Sequence, residues 1–408
     1  MYIDERKHKP MPKILLIGTL LSPDDSKFYF DNGIKPAAAD IAQKYIIDGL
    51  TSSEEVSGID VIGSSRLKPY PKTKILKAPS NAVPCEKYVF NSVGYLNLPL
   101  WAFFEREKRI IHEAKKWAKR NKSEDVVIFV YSMHSPFMKA AIAVKKIIPT
   151  AKIVLIVADL PLFMDMSSKL RRVLKQIDWK RIQKLMKHID KYLLYTKYMA
   201  EYLELPDDKW QVFEGLIDSS KIVEEPILKE NAEKICIYAG NLDARYGIDM
   251  LISAFKKLTI PAKLHIYGAG ADAERIKNIV KDCKNIEYRG FVSSEEIFEI
   301  MKKADLLINP RPRNIGLAKF SCPSKTFEYM ASGTPVVMTA LPGLPEEYHE
   351  FVYLFEEDTE ESFSEKLQEI LSFSQSELKE KGRSAAHFLK EHKNSKSQME
   401  KVMDFVYR

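Results

Sequence analysis

The chain has 408 residues, of which 45% are hydrophobic and 29% are charged, an ordinary composition for a globular protein with more than one hydrophobic core. Its net charge is +7, but residues 1–220 hold 36 basic against 26 acidic side chains, whereas residues 221–408 hold 27 against 30. No uncharged apolar run reaches about 18 residues, and charges stand where a signal peptide would be apolar, which argues against a membrane-spanning or secreted chain.

In the first half, short apolar runs alternate with longer runs of helical spacing. The pattern predicts strands at Lys13–Gly18, Asp60–Ile62, Asp125–Tyr131 and Lys152–Ala158, with helices over residues 37–50 and 138–148. Strands that are apolar throughout and separated by helices indicate a parallel sheet covered on both faces.

The second half starts the same alternation again. It predicts strands at Lys234–Ala239, Lys263–Tyr267, Ile286–Tyr288, Leu306–Asn309 and Pro335–Met338. Two βα series predict an α/β protein with two Rossmann-like, doubly wound parallel-sheet domains. The polar segment 217–234 marks the boundary, so we expect domains over 1–222 and 223–385, and a C-terminal helix over 386–408 that packs back on the first domain.

The strongest local signal is the segment Phe320–Val337, FSCPSKTFEYMASGTPVV. Pro323 and Ser324 mark a helix start, Lys325 lies in the first turn and Glu328 one turn along. The N–H groups and the dipole at a helix N-terminus suit an anion such as a diphosphate, and a carboxylate can accept hydrogen bonds from the vicinal hydroxyls of a ribose. The alternative is a capped crossover helix with Glu328 in solvent.

This segment resembles the second half of the Glu-x7-Glu signature of family 4, or group 1, glycosyltransferases, whose GT-B fold has two Rossmann-like domains facing across a cleft. The resemblance implies that Glu328 binds the ribose of a nucleotide sugar, with Pro323, Ser324 and Lys325 beside the diphosphate. Phe320 stands where the signature has its first glutamate. The donor-sugar contact of that glutamate is therefore not implied here.

The resemblance continues upstream, after the first strand of the second half. Gly240 and Asn241 match the family's strand-end turn, where glycine lets the backbone approach a phosphate. Asn241 stands where the family often has arginine, and Arg245 is the nearest replacement cation. An ordinary βα turn with a solvated arginine is the alternative.

Two further turns complete the implied donor site. Gly268 and Gly270 follow a strand as in the family's YGxG element, and Phe291 with Val292 resembles the turn against the nucleotide base. The GAGADA segment also fits a dinucleotide fingerprint, but no acidic residue follows about 20 positions later at a strand end.

Loops of the first half are predicted to serve the acceptor. Gly33 belongs to the polar loop after the first strand, and His134 and Asp159 follow the strands ending at Tyr131 and Ala158. The carboxyl ends of parallel strands face the ligand crevice. By position, the family implies that Asp159 contacts the reacting sugar. For His134, a satisfied structural histidine is the alternative.

Residues 168–187 form a basic amphipathic segment, with eight Lys or Arg and one acidic residue. We predict that it contacts an anionic membrane surface, so that the protein is cytoplasmic and peripheral at the inner face of the membrane. A solvated surface helix is the alternative. No nucleic-acid motif accompanies the charge, so no nucleic-acid partner is expected.

The sequence therefore predicts a glycosyltransferase that moves a sugar from a nucleotide diphosphate sugar to a glycan or lipid-linked acceptor. The resemblance implies retention of configuration and no metal, and no cofactor is expected. Asp159, Arg245 and Lys325 are the predicted catalytic residues. A non-catalytic nucleotide-sugar-binding scaffold and a nucleotide-sugar epimerase on the same fold remain alternatives.

Overall fold

The computed structural model describes residues 11–32, 38–52, 56–65, 67–99, 101–163, 169–217, 219–225, 233–313, 318–320 and 324–408. The chain divides into two compact units: Met1–Glu214 with Ser395–Arg408, and Gly215–Asn394. The second unit begins before the predicted boundary at 222/223. Of the predicted C-terminal helix, the part from Ser395 onward belongs to the first unit.

The first unit has eight strands in one sheet. Its elements in chain order are β1 (Lys13–Gly18), α1 (Pro23–Asp31), α2 (Ala38–Ser52), β2 (Gly58–Gly63), β3 (Ala82–Pro84), β4 (Val89–Ser92), α3 (Trp101–Arg120), β5 (Val126–Tyr131), α4 (Ser135–Lys145), β6 (Lys152–Val157), α5 (Lys169–Met186), β7 (Lys191–Leu194), α6 (Lys197–Leu203) and β8 (Trp210–Val212).

The strand order of this sheet is β3-β4-β2-β1-β5-β6-β7-β8, and all pairs are parallel except β3 with β4. The central strands are buried along nearly their whole length, as their continuous apolar runs predict. The chain order reverses at β1, which pairs with both β2 and β5. Such a switch point opens a ligand crevice at the carboxyl ends of the two strands.

The second unit has a six-stranded parallel sheet. Its elements are β9 (Lys234–Ala239), α7 (Ile248–Lys256), β10 (Ala262–Tyr267), α8 (Ala273–Val280), β11 (Ile286–Gly290), α9 (Ser294–Met301), β12 (Leu306–Asn309), α10 (Ser324–Ala331), β13 (Val336–Thr339), β14 (Tyr353–Phe355), α11 (Glu360–Ser372) and α12 (Gln375–Phe388). The order β11-β10-β9-β12-β13-β14 places the switch point between β9 and β12.

The predicted α/β class with two parallel sheets is confirmed. The strands that the pattern did not predict, β3, β4, β7, β8 and β14, have three or four residues each. Runs so short give little periodicity to detect. None of the helices in the described ranges is long and apolar enough to span a bilayer.

The C-terminal helix α13 (Ser395–Tyr407) packs on α2 of the first unit. Polar contacts tie its end to the sheet: the Lys152 ammonium donates to the Val406 carbonyl at 2.9 Å, and the Tyr407 hydroxyl donates to Asp125 at 2.8 Å. Gly49 of α2 gives α13 room, because a Cβ at this position would lie 2.6 Å from Met399 Cγ and also overlap the Ser395 carbonyl.

We expect Gly49→Ala to lower the free energy of unfolding by about 1–3 kcal/mol, because the added methyl group overpacks the contact between α2 and α13. Urea denaturation followed by circular dichroism measures the change. Gly58→Ala is the matched control, since no atom lies within 4 Å of its added Cβ. Equal effects of the two substitutions would contradict close packing of α13.

Candidate functional site

Backbone hydrogen bonds join the loops at the carboxyl edge of the second sheet. Gly240 N donates to the Tyr267 carbonyl at 3.0 Å, and Gly268 N donates to the Gly290 carbonyl at 2.8 Å. Gly268 has a φ of 137°, and a Cβ there would overlap the Gly240 carbonyl. The ends of β9, β10 and β11 therefore form one continuous edge, with glycine where two backbones meet.

The backbone N–H and carbonyl of Ala239, at the end of β9, are held by α10. The buried Tyr329 hydroxyl donates to the Ala239 carbonyl at 2.9 Å and accepts from Ala239 N at 2.9 Å. Burial raises the pKa of Tyr329, so the hydroxyl stays protonated and can make both bonds. Sequence reasoning did not identify Tyr329. A tyrosine on the buried side of a helix was the available signal, because its hydroxyl needs a partner there.

Lys325 reaches the same carbonyl from the first turn of α10. Its ammonium donates to the Ala239 carbonyl at 2.9 Å and would lie 3.0 Å from a Cβ at Gly240. The absence of a side chain at Gly240 thus lets the cation lie over the strand end. The structure brings together Gly240 and Lys325, which the sequence had placed in one phosphate site.

Glu328 lies one turn along α10. Its side chain and that of Lys325 keep solvent-exposed surface, yet the surrounding protein displaces water from both. Burial raises the pKa of Glu328, and the positive charges of Lys325 and Lys221 oppose this effect. Burial likewise lowers the pKa of Lys325, against the charge of Glu328. A carboxylate and an ammonium held where burial disfavours both charges are typical of a functional site.

The other predicted donor residues that follow β9, β10 and β11 lie along the same edge. Asn241 is exposed, and its side-chain oxygen and the Leu242 carbonyl leave no room for a Cβ at Gly270. Phe291 follows β11 with an exposed ring, and Val292 beside it is half-buried. An exposed aromatic ring at a strand end can stack on a flat ligand such as a nucleobase.

Arg245 is exposed and paired with its neighbour Asp243. The guanidinium donates to both carboxylate oxygens, at 2.9 and 2.6 Å. Hydrogen bonds from Arg245 lower the pKa of Asp243 to about 2. The structure therefore places this cation in a surface ion pair rather than beside Lys325 at the Ala239 carbonyl.

Phe320, which stands where the family has its first glutamate, is buried with only 9% of its surface exposed. Its ring lies 4.9 Å from the ammonium of Lys319. The side chain that occupies this position is therefore apolar and packed, so it offers no acceptor to a sugar hydroxyl.

In the first unit, side chains from α2 close the loop after β1. Gln43 accepts hydrogen bonds from Thr19 N and Leu20 N, at 3.1 and 3.2 Å, and Asp40 accepts from Leu21 N at 2.8 Å. These amides are therefore already occupied and would not be free to bind a phosphate. Gln43 in this role was not predicted from the sequence.

His134 and Asp159 both follow central strands at the carboxyl edge of the first sheet. His134 lies before the first turn of α4, with its ring 5.8 Å from that of Phe137. Asp159 keeps solvent-exposed surface, but the protein around its carboxyl group removes part of the hydration and so raises its pKa.

Among the other predicted residues, Ser324 begins α10, whereas Gly33 and Pro323 lie outside the described residues. Within the described ranges, no cluster of His, Cys, Asp and Glu could hold a metal ion.

The pKa shift of Glu328 predicts a pH-dependent cost in stability. Folding raises this pKa, so the carboxyl group contributes to the free energy of unfolding. That contribution is fully present below the unfolded-state pKa and is lost as the pH rises through the folded-state pKa. We therefore expect Glu328→Gln to melt at a higher temperature than the wild type at about pH 8, with a difference that shrinks towards about pH 4. Thermal denaturation across this range measures it.

Glu369→Gln, on an exposed face of α11, is the control for the pH series. A Glu328→Gln melting curve that follows the wild type at every pH would contradict the burial cost assigned to Glu328.

Comparison with known proteins identifies the second unit. Residues 233–372 match the family model of Glycosyl transferases group 1. An uncharacterised glycosyltransferase of Methanocaldococcus jannaschii is 28% identical over 123 residues, 29% of this chain and 30% of that protein. A second from the same organism is 26% identical over 162 residues, 38% of this chain and 42% of that protein. Each match thus spans less than half of the relative's length.

Solved structures match nearly the whole chain. The apo form of the lipopolysaccharide outer core galactosyltransferase WaaB has a TM-score of 0.64 at 13% identity, covering 97% of this chain and 99% of that one. Sucrose-phosphate synthase from Thermosynechococcus elongatus has a TM-score of 0.66 at 15% identity, with the same coverage. HepE of Anabaena, in complex with UDP and glucose, has a TM-score of 0.60 at 12% identity, also covering 97% and 99%. This chain therefore has the fold of these GT-B glycosyltransferase structures, and its residues 233–372 match the family model of the group 1 glycosyltransferases.

Proposed function

We propose that this protein is a glycosyltransferase that moves a sugar from a nucleotide diphosphate sugar to a glycan or lipid-linked acceptor in surface polysaccharide or glycolipid biosynthesis. The transfer would retain the anomeric configuration and need no metal or other cofactor. The observation that carries the proposal is the position of Lys325, whose ammonium lies at the strand end of Ala239 with Glu328 one turn further along α10.

This arrangement suits the diphosphate and ribose of a donor. Among the described residues, Lys325 uses one of its three N–H groups, on the Ala239 carbonyl, which leaves two for phosphate oxygens. The N-terminus of α10 adds a positive dipole at the same place. Glu328 can accept hydrogen bonds from two ribose hydroxyls, and Phe291 offers its ring to the base. HepE, a protein of this fold, binds UDP and glucose.

Catalysis would follow from stabilising the departing diphosphate. Lys325 and the helix N-terminus are already in place before the reaction, so little free energy is spent on reorienting them. Arg245 would join them only by leaving Asp243, an exposed pair that costs little to break. Asp159 and His134 stay predictions for the reacting sugar and the acceptor.

We expect Lys325→Ala and Glu328→Ala each to weaken the binding of nucleoside diphosphates and their sugars about tenfold or more, because each loses a charge-assisted hydrogen bond. Isothermal titration calorimetry with UDP, GDP, ADP and their sugar derivatives measures the affinity. A radiolabelled donor with a lipid and glycan extract then measures transfer.

Lys366→Ala and Glu369→Ala are matched controls, because this pair has the same order and spacing on α11 and is joined only by an exposed ion pair of 2.6 Å. Unchanged affinity and transfer in both α10 variants would overturn the site. Two other outcomes favour the alternative functions: epimerised donor formed without an acceptor indicates an epimerase, and tight binding without hydrolysis or transfer indicates a scaffold.

A further inference from the structure

Two arginines follow β12, at the switch point of the second sheet. In the loop from Pro310 to Arg313, Arg311 and Arg313 alternate with prolines. The backbone N–H of Arg313 donates to Asp358 at 2.7 Å, and its guanidinium donates to the Phe355 carbonyl at the end of β14. Arg313 therefore fixes the loop against the neighbouring strands and serves the fold.

Arg311 lies close to the level of the phosphate site. β12 pairs with β9 in parallel, with Leu307 opposite Ile237, so two residues further along both strands Asn309 comes opposite Ala239. Arg311 follows after another two residues, about 8 Å from the Ala239 backbone at the spacing of paired strands and the rise along a strand. The side chain of Arg311 therefore starts from the crevice in which the ammonium at the Ala239 carbonyl lies.

The loop after β9 packs directly on the segment that carries Arg311. Gly247 has a φ of 80°, and a Cβ there would overlap the Pro310 carbonyl. The guanidinium of Arg311 lies over the ring of Tyr246, 5.6 Å from the ring centroid. The Arg311 carbonyl accepts a hydrogen bond from the Thr339 hydroxyl. The backbone and the side chain of Arg311 are thus both held at the switch point between β9 and β12.

The ring of Tyr246 positions a cation without cancelling its charge. A stacked ring contacts the face of the guanidinium, whereas hydrogen bonds to an anion are made in its plane. Asp243, by contrast, neutralises Arg245 and accepts from it at 2.9 and 2.6 Å. The Arg245 side chain is also 75% exposed, whereas Arg311 is half-buried. Electrostatic contacts with a ligand are stronger where solvation is reduced, which favours Arg311 as an anion-binding group.

The departing diphosphate gains negative charge during the transfer. When the sugar leaves, the terminal phosphate of the nucleotide becomes a monoester whose second pKa is about 6, so its charge grows at neutral pH. Lys325 supplies one positive charge at this place, and burial lowers the pKa of its ammonium. A second cation, already held in position, stabilises charge that develops only as the bond to the sugar breaks.

We propose that Arg311 is the second cation of the donor site, held over Tyr246 and binding the terminal phosphate of the nucleoside diphosphate together with Lys325. Its planar guanidinium can give two parallel hydrogen bonds to one phosphate. Arg311 thus takes the role that the sequence assigned to Arg245, and Tyr246 is a positioning residue that acts through Arg311. This inference rests on the proposed function, because it assigns a further residue to the same donor site.

Paired affinities for nucleoside diphosphates and monophosphates test the proposal. Isothermal titration calorimetry of the full chain with UDP, GDP and ADP, and with UMP, GMP and AMP, measures both. We expect Arg311→Ala to weaken binding of the diphosphate about tenfold or more, and to leave the affinity for the monophosphate of the same base largely unchanged. Arg311→Lys, which keeps the charge but not the planar guanidinium, should fall between the wild type and Arg311→Ala.

Variants of Tyr246 test how the arginine is positioned. Tyr246→Leu removes the ring and should weaken diphosphate binding about twofold to fivefold, whereas Tyr246→Phe keeps the ring and should bind like the wild type. Arg383→Ala is the matched control, because it removes an exposed arginine whose partner is Glu380 on the same helix, α12. Its affinities for both classes of nucleotide should equal those of the wild type.

Three results would overturn the proposal: an unchanged diphosphate affinity in Arg311→Ala, an equal loss of diphosphate and monophosphate affinity in that variant, or a larger loss of diphosphate affinity in Arg245→Ala. Lys325→Ala separates this inference from the proposed function. If Lys325→Ala weakens diphosphate binding and Arg311→Ala does not, the donor site stands without Arg311. If the wild type binds no nucleoside diphosphate, the proposed function fails and this inference fails with it.

Discussion

The parallel direction of the strands is the constraint on which both units depend. It brings the carboxyl ends of all central strands to one edge, where the ladder ends and peptide groups need other partners. The two units satisfy these groups differently. In the first, Gln43 and Asp40 occupy the amides after β1. In the second, the Ala239 carbonyl accepts from Tyr329 and Lys325, so the same need positions a cation.

Tyr329 and Lys325 both contact Ala239, but in different ways. The contact of Tyr329 serves the fold, whereas that of Lys325 belongs to the candidate site. Tyr329 is buried and its hydroxyl makes two hydrogen bonds to Ala239, one with the backbone N–H and one with the carbonyl, which fixes α10 against β9. Lys325 makes one bond and keeps solvent-exposed surface, and burial disfavours its charge and that of Glu328. Burial works against the charged form of both side chains, which is typical of a functional site.

The first unit shows the same separation on its outer surface. The buried faces of α3 and α5 complete the packing against the sheet, while Trp101 and Phe104 on α3 and Val173 on α5 leave between 52% and 57% of their surface in contact with solvent.

The sequence by itself determined the α/β class, the two parallel sheets and the helix start at Ser324, because apolar runs and capping residues report local structure directly. It also predicted a phosphate site at Gly240 and Lys325, since glycine at a strand end and charge in the first turn of a helix are local signals, and the family resemblance added Glu328. Only the tertiary structure showed Tyr329 on the Ala239 peptide, Arg245 paired with Asp243, and Gln43 on the loop after β1. Each of these side chains has several possible partners. Which partner it contacts depends on the elements that the fold brings next to it.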